Sequence, residues 1–147
     1  MLKKDIRTNT LHGSLIRLNK THRKMAKREF QKVDLTEGKP KLLDFIINHP
    51  GCSQREIASC CKIEPATATS ILSSMEKEEL IYRERNPKDK RILNVFLTEK
   101  GIEAQKKVEK VFLELDEICF DGFSEKERID AINTLNKIGR ASCRERV

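Results

Sequence analysis

Between Leu80 and Thr98 the spacing of apolar residues changes period twice. Up to Leu80 they recur every three or four residues; Ile81-Tyr82-Arg83-Glu84-Arg85 and Ile92-Leu93-Asn94-Val95-Phe96-Leu97 then follow a period of two; past Thr98 the helical spacing returns. The two alternating runs flank a polar reversal beginning at Asn86-Pro87, which predicts a β-hairpin set among helices. The chain therefore reads as mainly α with a small β-hairpin wing (α+β). The turn itself is crowded with charge, because Arg85, Lys88, Lys90 and Arg91 surround it.

On the N-terminal side, Leu11, Leu15, Leu18, Met25, Ala26 and Phe30 predict one long amphipathic helix. A break around Gly38-Lys39-Pro40 separates it from a short helix over Lys41 to Asn48, stopped by Pro50-Gly51. Leu42, Leu43, Phe45, Ile46 and Ile47 in that helix are expected in the core. Ser53-Gln54-Arg55-Glu56 has the form of a capping box, which starts a third helix carrying Ile57, Ala58 and Cys61 inward. Pro65 suits a first helical position, and Ile71, Leu72 and Met75 form the stripe of a fourth helix. The tight connection over residues 62–64 makes this pair a helix-turn-helix. After the hairpin, Thr98 caps a helix striped by Ala104, Val108, Val111, Leu115 and Ile118 and ending near Asp121-Gly122. A second capping box, Ser124 to Glu127, opens a last helix with Ile129, Ile132 and Leu135.

A length of 147 residues with 37% hydrophobic and 36% charged residues suits one soluble domain. The net charge of +7 and pI near 9.2 favour an anionic partner, nucleic acid ahead of an anionic membrane surface, although basic charge also simply aids solubility. No apolar stretch approaches the roughly 20 residues of a membrane span, and the polar start MLKKDIRTNT lacks a secretory apolar run, so the chain is expected in the cytoplasm. Five cysteines without disulfide-framework spacing fit reduced thiols. The final IGRASCRERV, residues 138–147, matches one reading frame of a common sequencing-library adapter. We expect these residues to be non-native and the natural frame to be cut near Lys137. Setting aside their three Arg and one Glu takes the charge from +7 to +5, so the basic balance survives, and Cys143 leaves every functional argument.

Two short helices followed by a charged hairpin form a winged helix. The second helix of such a pair can enter the major groove of DNA, and its early residues Ala66, Thr67, Thr69 and Ser70 are short enough to approach base edges or phosphates. They are also ordinary helix-start residues. At the hairpin, the planar guanidinium of Arg91 or Arg85 can occupy a narrow, electronegative minor groove while Lys88 and Lys90 stay near phosphates. Asp89 would hold a neighbouring arginine in one rotamer. A solvated hairpin whose charges discourage edge pairing is the competing reading.

The segments VDLTEGKPKLLDFIINHPGCSQREIA, EPATATSILSSMEKEELIYRERNPKDKR and VFLTEKG resemble the MarR family of bacterial and archaeal transcriptional regulators. The resemblance covers about residues 33–101. Its most specific part is the wing, where the family's Asp-x-Arg is matched by Asp89-Lys90-Arg91 and a Leu-Thr-Glu-x-Gly run by residues 97–101. It implies a winged helix-turn-helix over 33–101, with dimerisation helices over 5–32 and 102–137 in a single domain spanning 1–137. It also implies an obligate homodimer, with its first and last helices interleaved. By the same resemblance Arg91 is the minor-groove arginine and Asp89 its positioner, Thr67, Thr69 and Ser70 lie on the recognition helix, and Arg55, after Ser53-Gln54, faces the DNA backbone. The expected function is a transcriptional repressor that binds a palindromic operator in double-stranded DNA. Two departures stand out: Ser70 replaces an arginine common in the family, and Glu79 replaces the usual Gly before the wing, so poorer capping is expected there. The apolar stripes on the long helices support a dimer independently, unless they pack on each other within one chain.

Family members respond to phenolic ligands, peroxides or metals, which makes a small-molecule inducer possible. The first helix lacks the cysteine of the peroxide-sensing members. Cys52 and Cys61 are expected as small core residues, with Cys60 and Cys119 the other native thiols. His49-x-x-Cys52 with Cys60 nearby lacks zinc-finger spacing, so neither metal nor cofactor is expected. His12, His22 and His49 are scattered with no nucleophile, base or Gly-rich phosphate loop nearby, which argues against an enzyme. A winged helix whose basic hairpin meets an acidic protein remains the alternative to a DNA-binding one.

Overall fold

The computed structural model describes residues 10–35 and 38–144, with side chains through residue 141. The helices are α1 (Leu11–Gln31), α2 (Lys39–Asn48), α3 (Gln54–Cys61), α4 (Pro65–Lys77), α5 (Glu99–Cys119) and α6 (Glu125–Arg144). The strands are β1 (Cys52–Ser53), β2 (Ile81–Arg85) and β3 (Leu93–Leu97). The chain divides into two compact units, Met1–Leu113 and Glu114–Val147.

In the first unit the predicted hairpin is present, with Ile81 opposite Leu97, Arg83 opposite Val95 and Arg85 opposite Leu93. A third strand joins it: β1 pairs antiparallel with β3, Cys52 opposite Val95 and Ser53 opposite Asn94, so the sheet order is β1-β3-β2. Two residues are too few to show a period, which is why nothing in the residue pattern announces β1. Leu42, Leu43 and Ile46 of α2, Ile57 and Cys61 of α3, and Ala68, Leu72 and Met75 of α4 close over Ile81 and Val95 as the buried core. Phe45 and Ile47, expected in that core, are only half-buried, and Phe45 instead stacks on His49 with ring centroids 4.2 Å apart. Helix α2 also starts two residues earlier than expected. Pro40 lies in its first turn, where its missing N–H has no intrahelical partner to lose.

The helix ends explain much of the order. Ser53 caps α3 in a full capping box: Ser53 Oγ accepts from Glu56 N at 3.2 Å, and Glu56 Oε2 accepts from Ser53 N at 2.6 Å. Among the described residues, three helices finish on a non-glycine residue in the left-handed region, Asp34 (φ 57°), Lys62 (φ 52°) and Glu79 (φ 61°). Glu79 was expected to cap α4 poorly, yet both bonds of a Schellman motif form: Leu80 N donates to Met75 O at 2.9 Å and Glu79 N to Glu76 O at 3.0 Å. The cost of replacing glycine thus falls on the backbone angle and leaves the hydrogen bonding intact. Leu80 O then accepts from Thr98 N at 3.1 Å, and Thr98 Oγ1 accepts from Gly101 N at 3.0 Å, which starts α5. Ala104, Val108 and Val111 of α5 are buried, and Phe112 meets Phe30 of α1 edge-on at 5.3 Å.

In the second unit Ser124 and Glu127 make the predicted capping box at the head of α6. Arg128 pairs with Glu117 at 2.6 Å and lies over the Phe120 ring. Leu115 is buried, but Ile118, expected on the same stripe, is exposed, as are Ile129, Ile132 and Leu135. Helix α6 continues through residues 138–144, within the stretch expected to be non-native; Arg140 and Ala141 are good helix formers. Leu11, Leu15, Ile16 and Leu18 on α1 are exposed as well. No helix among the described residues is long and apolar enough to cross a membrane.

Candidate nucleic-acid interface

The wing tip is ordered by its own side chains. Asn86 Oδ1 accepts from Lys88 N at 2.8 Å and from Asp89 N at 3.2 Å, which turns the chain, and Asn86 N donates to Ile92 O at 2.9 Å, which closes it. Asp89 then holds Arg91 in three places: Oδ1 accepts from Arg91 N at 3.0 Å and from Nε at 3.1 Å, and Oδ2 accepts from Nη2 at 3.3 Å. Those hydrogen bonds from the Arg91 side chain and backbone hold the Asp89 carboxyl below its ordinary range. The Arg91 side chain is nonetheless 91% exposed, so it is oriented without being covered. Arg85 Nη1 donates to Lys90 O at 3.2 Å, while Lys88 and Lys90 extend into solvent.

Next to the wing an open cleft of about 750 Å³ is lined by Arg55 and Ser53 of the α3 start, Pro65 at the head of α4, and Arg91 and Leu93 of the wing. Folding thus gathers Arg55 and Arg91, far apart in sequence, around one concavity. On α4, Ala66, Thr67, Thr69 and Ser70 are all exposed. Ser53 and Gln54 are less available. The Ser53 hydroxyl belongs to the capping box, donating to Glu56 Oε2 at 2.8 Å, and Gln54 Nε2 donates to Thr69 Oγ1 at 2.6 Å.

One participant is not among the residues that the sequence singles out. Arg83 of β2 makes a bidentate ion pair with Glu76 of α4, Nε to Oε1 at 3.2 Å and Nη2 to Oε2, and its Nη1 donates to Gln54 Oε1 of α3 at 3.4 Å. A mostly buried arginine therefore fastens the wing to both helices of the pair. The clue was available, since a period of two places Arg83 on the same face as Ile81, which points inward.

The cysteines lie apart from this surface chemistry. Cys52 and Cys61 are buried as expected, and burial pushes the Cys52 thiol up to about 11, so it stays protonated and unreactive at neutral pH. Cys60 is exposed. His49 Nδ1 lies 2.9 Å from Phe45 O, and among the described residues no three His, Cys, Asp or Glu side chains gather as a metal set would.

Known proteins share this fold. A family model described as MarR family matches residues 35–93. The HTH-type transcriptional regulator BilQ of Clostridium symbiosum is 31% identical over 114 residues, covering 78% of this chain and 79% of BilQ. The chain is similar to a crystal structure of MarR, with a TM-score of 0.82 and 26% identity over 99% of this chain and 97% of that one. It also has the fold of MepR from S. aureus in its DNA complex, with a TM-score of 0.74 and 22% identity over 90% and 96% of the two chains.

Proposed function

The chain belongs to the MarR family of transcriptional regulators and is not an enzyme, and on that premise we propose that it is a sequence-specific repressor binding a palindromic operator as a homodimer. Each protomer lays α4 in the major groove and the wing in the flanking minor groove, on half-sites about one helical turn apart. Residues 33–101 are the DNA-binding core, 5–32 and 102–137 supply the dimer helices, and 138–147 are non-native; of these, 5–9, 36–37 and 145–147 lie outside the described residues. The protein acts in the cytoplasm, and relief of repression by a small-molecule inducer belongs to the same reading.

The observation that carries the proposal is the Asp89–Arg91 clamp. An arginine held by its own carboxylate partner, yet almost wholly exposed, has lost much of its rotamer freedom before any ligand arrives. That pre-organisation suits insertion into a narrow groove, whose negative potential favours a guanidinium. Arg55, Arg85, Lys88 and Lys90 around it would meet phosphates, and the basic net charge supplies the long-range attraction. The exposed apolar faces of α1 and α6, each uncovered on its own unit, are the surfaces a second copy would bury. The DNA complex of MepR, which shares the fold, favours the same docking.

The test is anisotropy titration against duplexes selected from a random pool, at several salt concentrations. Arg91→Ala should weaken binding by at least about tenfold, as for a base-edge or groove arginine, whereas Lys88→Ala should mainly lower the salt slope, by about one for each phosphate no longer neutralised. Unchanged affinity for Arg91→Ala would refute the wing assignment.

A further inference from the structure

The hydrogen bonds behind α4 fix more than its position. Arg83 carries only donors, so the Gln54 atom facing it must be the carbonyl oxygen, Oε1, at 3.4 Å. The Gln54 amide nitrogen is thereby directed to Thr69, and since that nitrogen can only donate, Thr69 Oγ1 is the acceptor there at 2.6 Å. The hydroxyl proton of Thr69 goes to Pro65 O at 2.9 Å, one turn back along α4. Each assignment forces the next, and the direction of the chain is set at its far end by the Glu76–Arg83 ion pair.

Thr69 is exposed on the face of α4 that bears Ala66 and Ser70, yet its hydroxyl has no proton left for a ligand. What remains for an incoming base is one acceptor lone pair, which no acceptor on the thymine edge can use, and the Cγ2 methyl group. We propose that Thr69 is a specificity residue that reads a thymine through methyl–methyl contact, with Gln54 and Arg83 as the positioning residues that keep its hydroxyl turned inward. The major-groove edge of thymine is the one that carries a C5 methyl, and a threonine methyl is among the groups that recognise it. A hydroxyl free to donate would instead serve guanine N7 or O6, adenine N7 and thymine O4 alike, so withdrawing the proton sharpens the choice. This inference rests on the DNA-binding reading above.

The test uses the full chain and a duplex selected from a random pool, in which each thymine is replaced in turn by deoxyuridine. The only atoms removed are those of the C5 methyl group. For the wild type, one thymine per half-site should cost about fourfold in affinity when so replaced, the value of one buried methyl-sized group. Thr69→Val, which keeps the methyl and loses the hydroxyl, should preserve that penalty at the same position. Thr69→Ser, which keeps the hydroxyl and loses the methyl, should abolish it. Thermal melts of both variants report that α4 is intact. Retention of the deoxyuridine penalty in Thr69→Ser, or no thymine showing a penalty in the wild type, overturns the inference and leaves DNA binding standing. Failure of the wild type to retain any duplex overturns both.

Discussion

Replacing Gly101 by alanine should damage this protein more than any change of one methyl group on its surface. A Cβ built at Gly101 lies 1.9 Å from the carbonyl oxygen of Leu80 and 3.0 Å from its carbon. Reaching an ordinary carbon–oxygen contact near 3.3 Å requires a retreat of roughly 1.4 Å. The oxygen has little freedom to yield, because Leu80 is buried and its carbonyl accepts from Thr98 N at 3.1 Å. Losing that bond costs about 1 kcal/mol, and shifting packed backbone about 1–3 kcal/mol. Alanine returns roughly 1 kcal/mol through its better helix propensity. The net loss is about 1–3 kcal/mol, a fall in Tm of about 3–10 °C for a chain of this size. Differential scanning calorimetry measures it directly. In the 147-residue chain, whose last ten residues are read as non-native but continue α6, Gly139→Ala is the matched control: nothing lies within 4 Å of its Cβ, so the same substitution should be neutral or raise the Tm. If both substitutions shifted stability in the same direction, the close approach at Leu80 would not be what requires glycine.

Glu79→Gly should stabilise the protein by about 1 kcal/mol, seen as a higher urea midpoint at unchanged slope, because it relieves a left-handed residue while both Schellman bonds remain. Acid should weaken the fold through its paired carboxylates. Glu76 is held below its ordinary value of 4.5 by the hydrogen bond from Arg83, so the stability it contributes is present above that value and is lost as pH falls through the lower folded one. Melting temperatures measured from pH 7 to pH 3 should therefore decline below about 4.5, and Glu76→Gln should make the decline shallower. Leu15→Glu combined with Leu18→Glu should convert a dimer to monomer at micromolar concentration by light scattering, since each leucine buried at an interface contributes about 1.5–3 kcal/mol.

The helices, the hairpin and both capping boxes could be read from the chain because each rests on local chemistry. Ser53 with Glu56, Ser124 with Glu127, and Pro65 at a helix start act within a single turn. What escaped depends on contacts between segments. Strand β1 exists only because β3 offers it a partner, while Phe45 is half-buried and Ile118 exposed although the helical stripes put both inside, since periodicity marks a face without showing which segment covers it. At the candidate interface, the Asp89–Arg91 pairing was legible since the two residues lie in one turn. The Gln54–Thr69 and Arg83–Glu76 links were not, because they join α3, α4 and β2 across the fold, and a sequence shows donors and acceptors without showing which ones meet.

Leu80 is the residue through which these segments meet most closely. Its N–H closes α4, its side chain enters the core, and its carbonyl receives Thr98 and lies under Gly101 at the head of α5. Helix α5 has 21 residues, about 30 Å of rod, and its near end is fastened to the tail of α4 at three successive carbonyls: Glu78 O accepts from Lys100 Nζ at 2.7 Å, Glu79 O from Thr98 Oγ1 at 2.5 Å and Leu80 O from Thr98 N at 3.1 Å. Such a rod is a lever with almost no play at the fulcrum. Within the first unit, a tilt at the head of α5 is therefore passed to the tail of α4 and not dissipated in a loop.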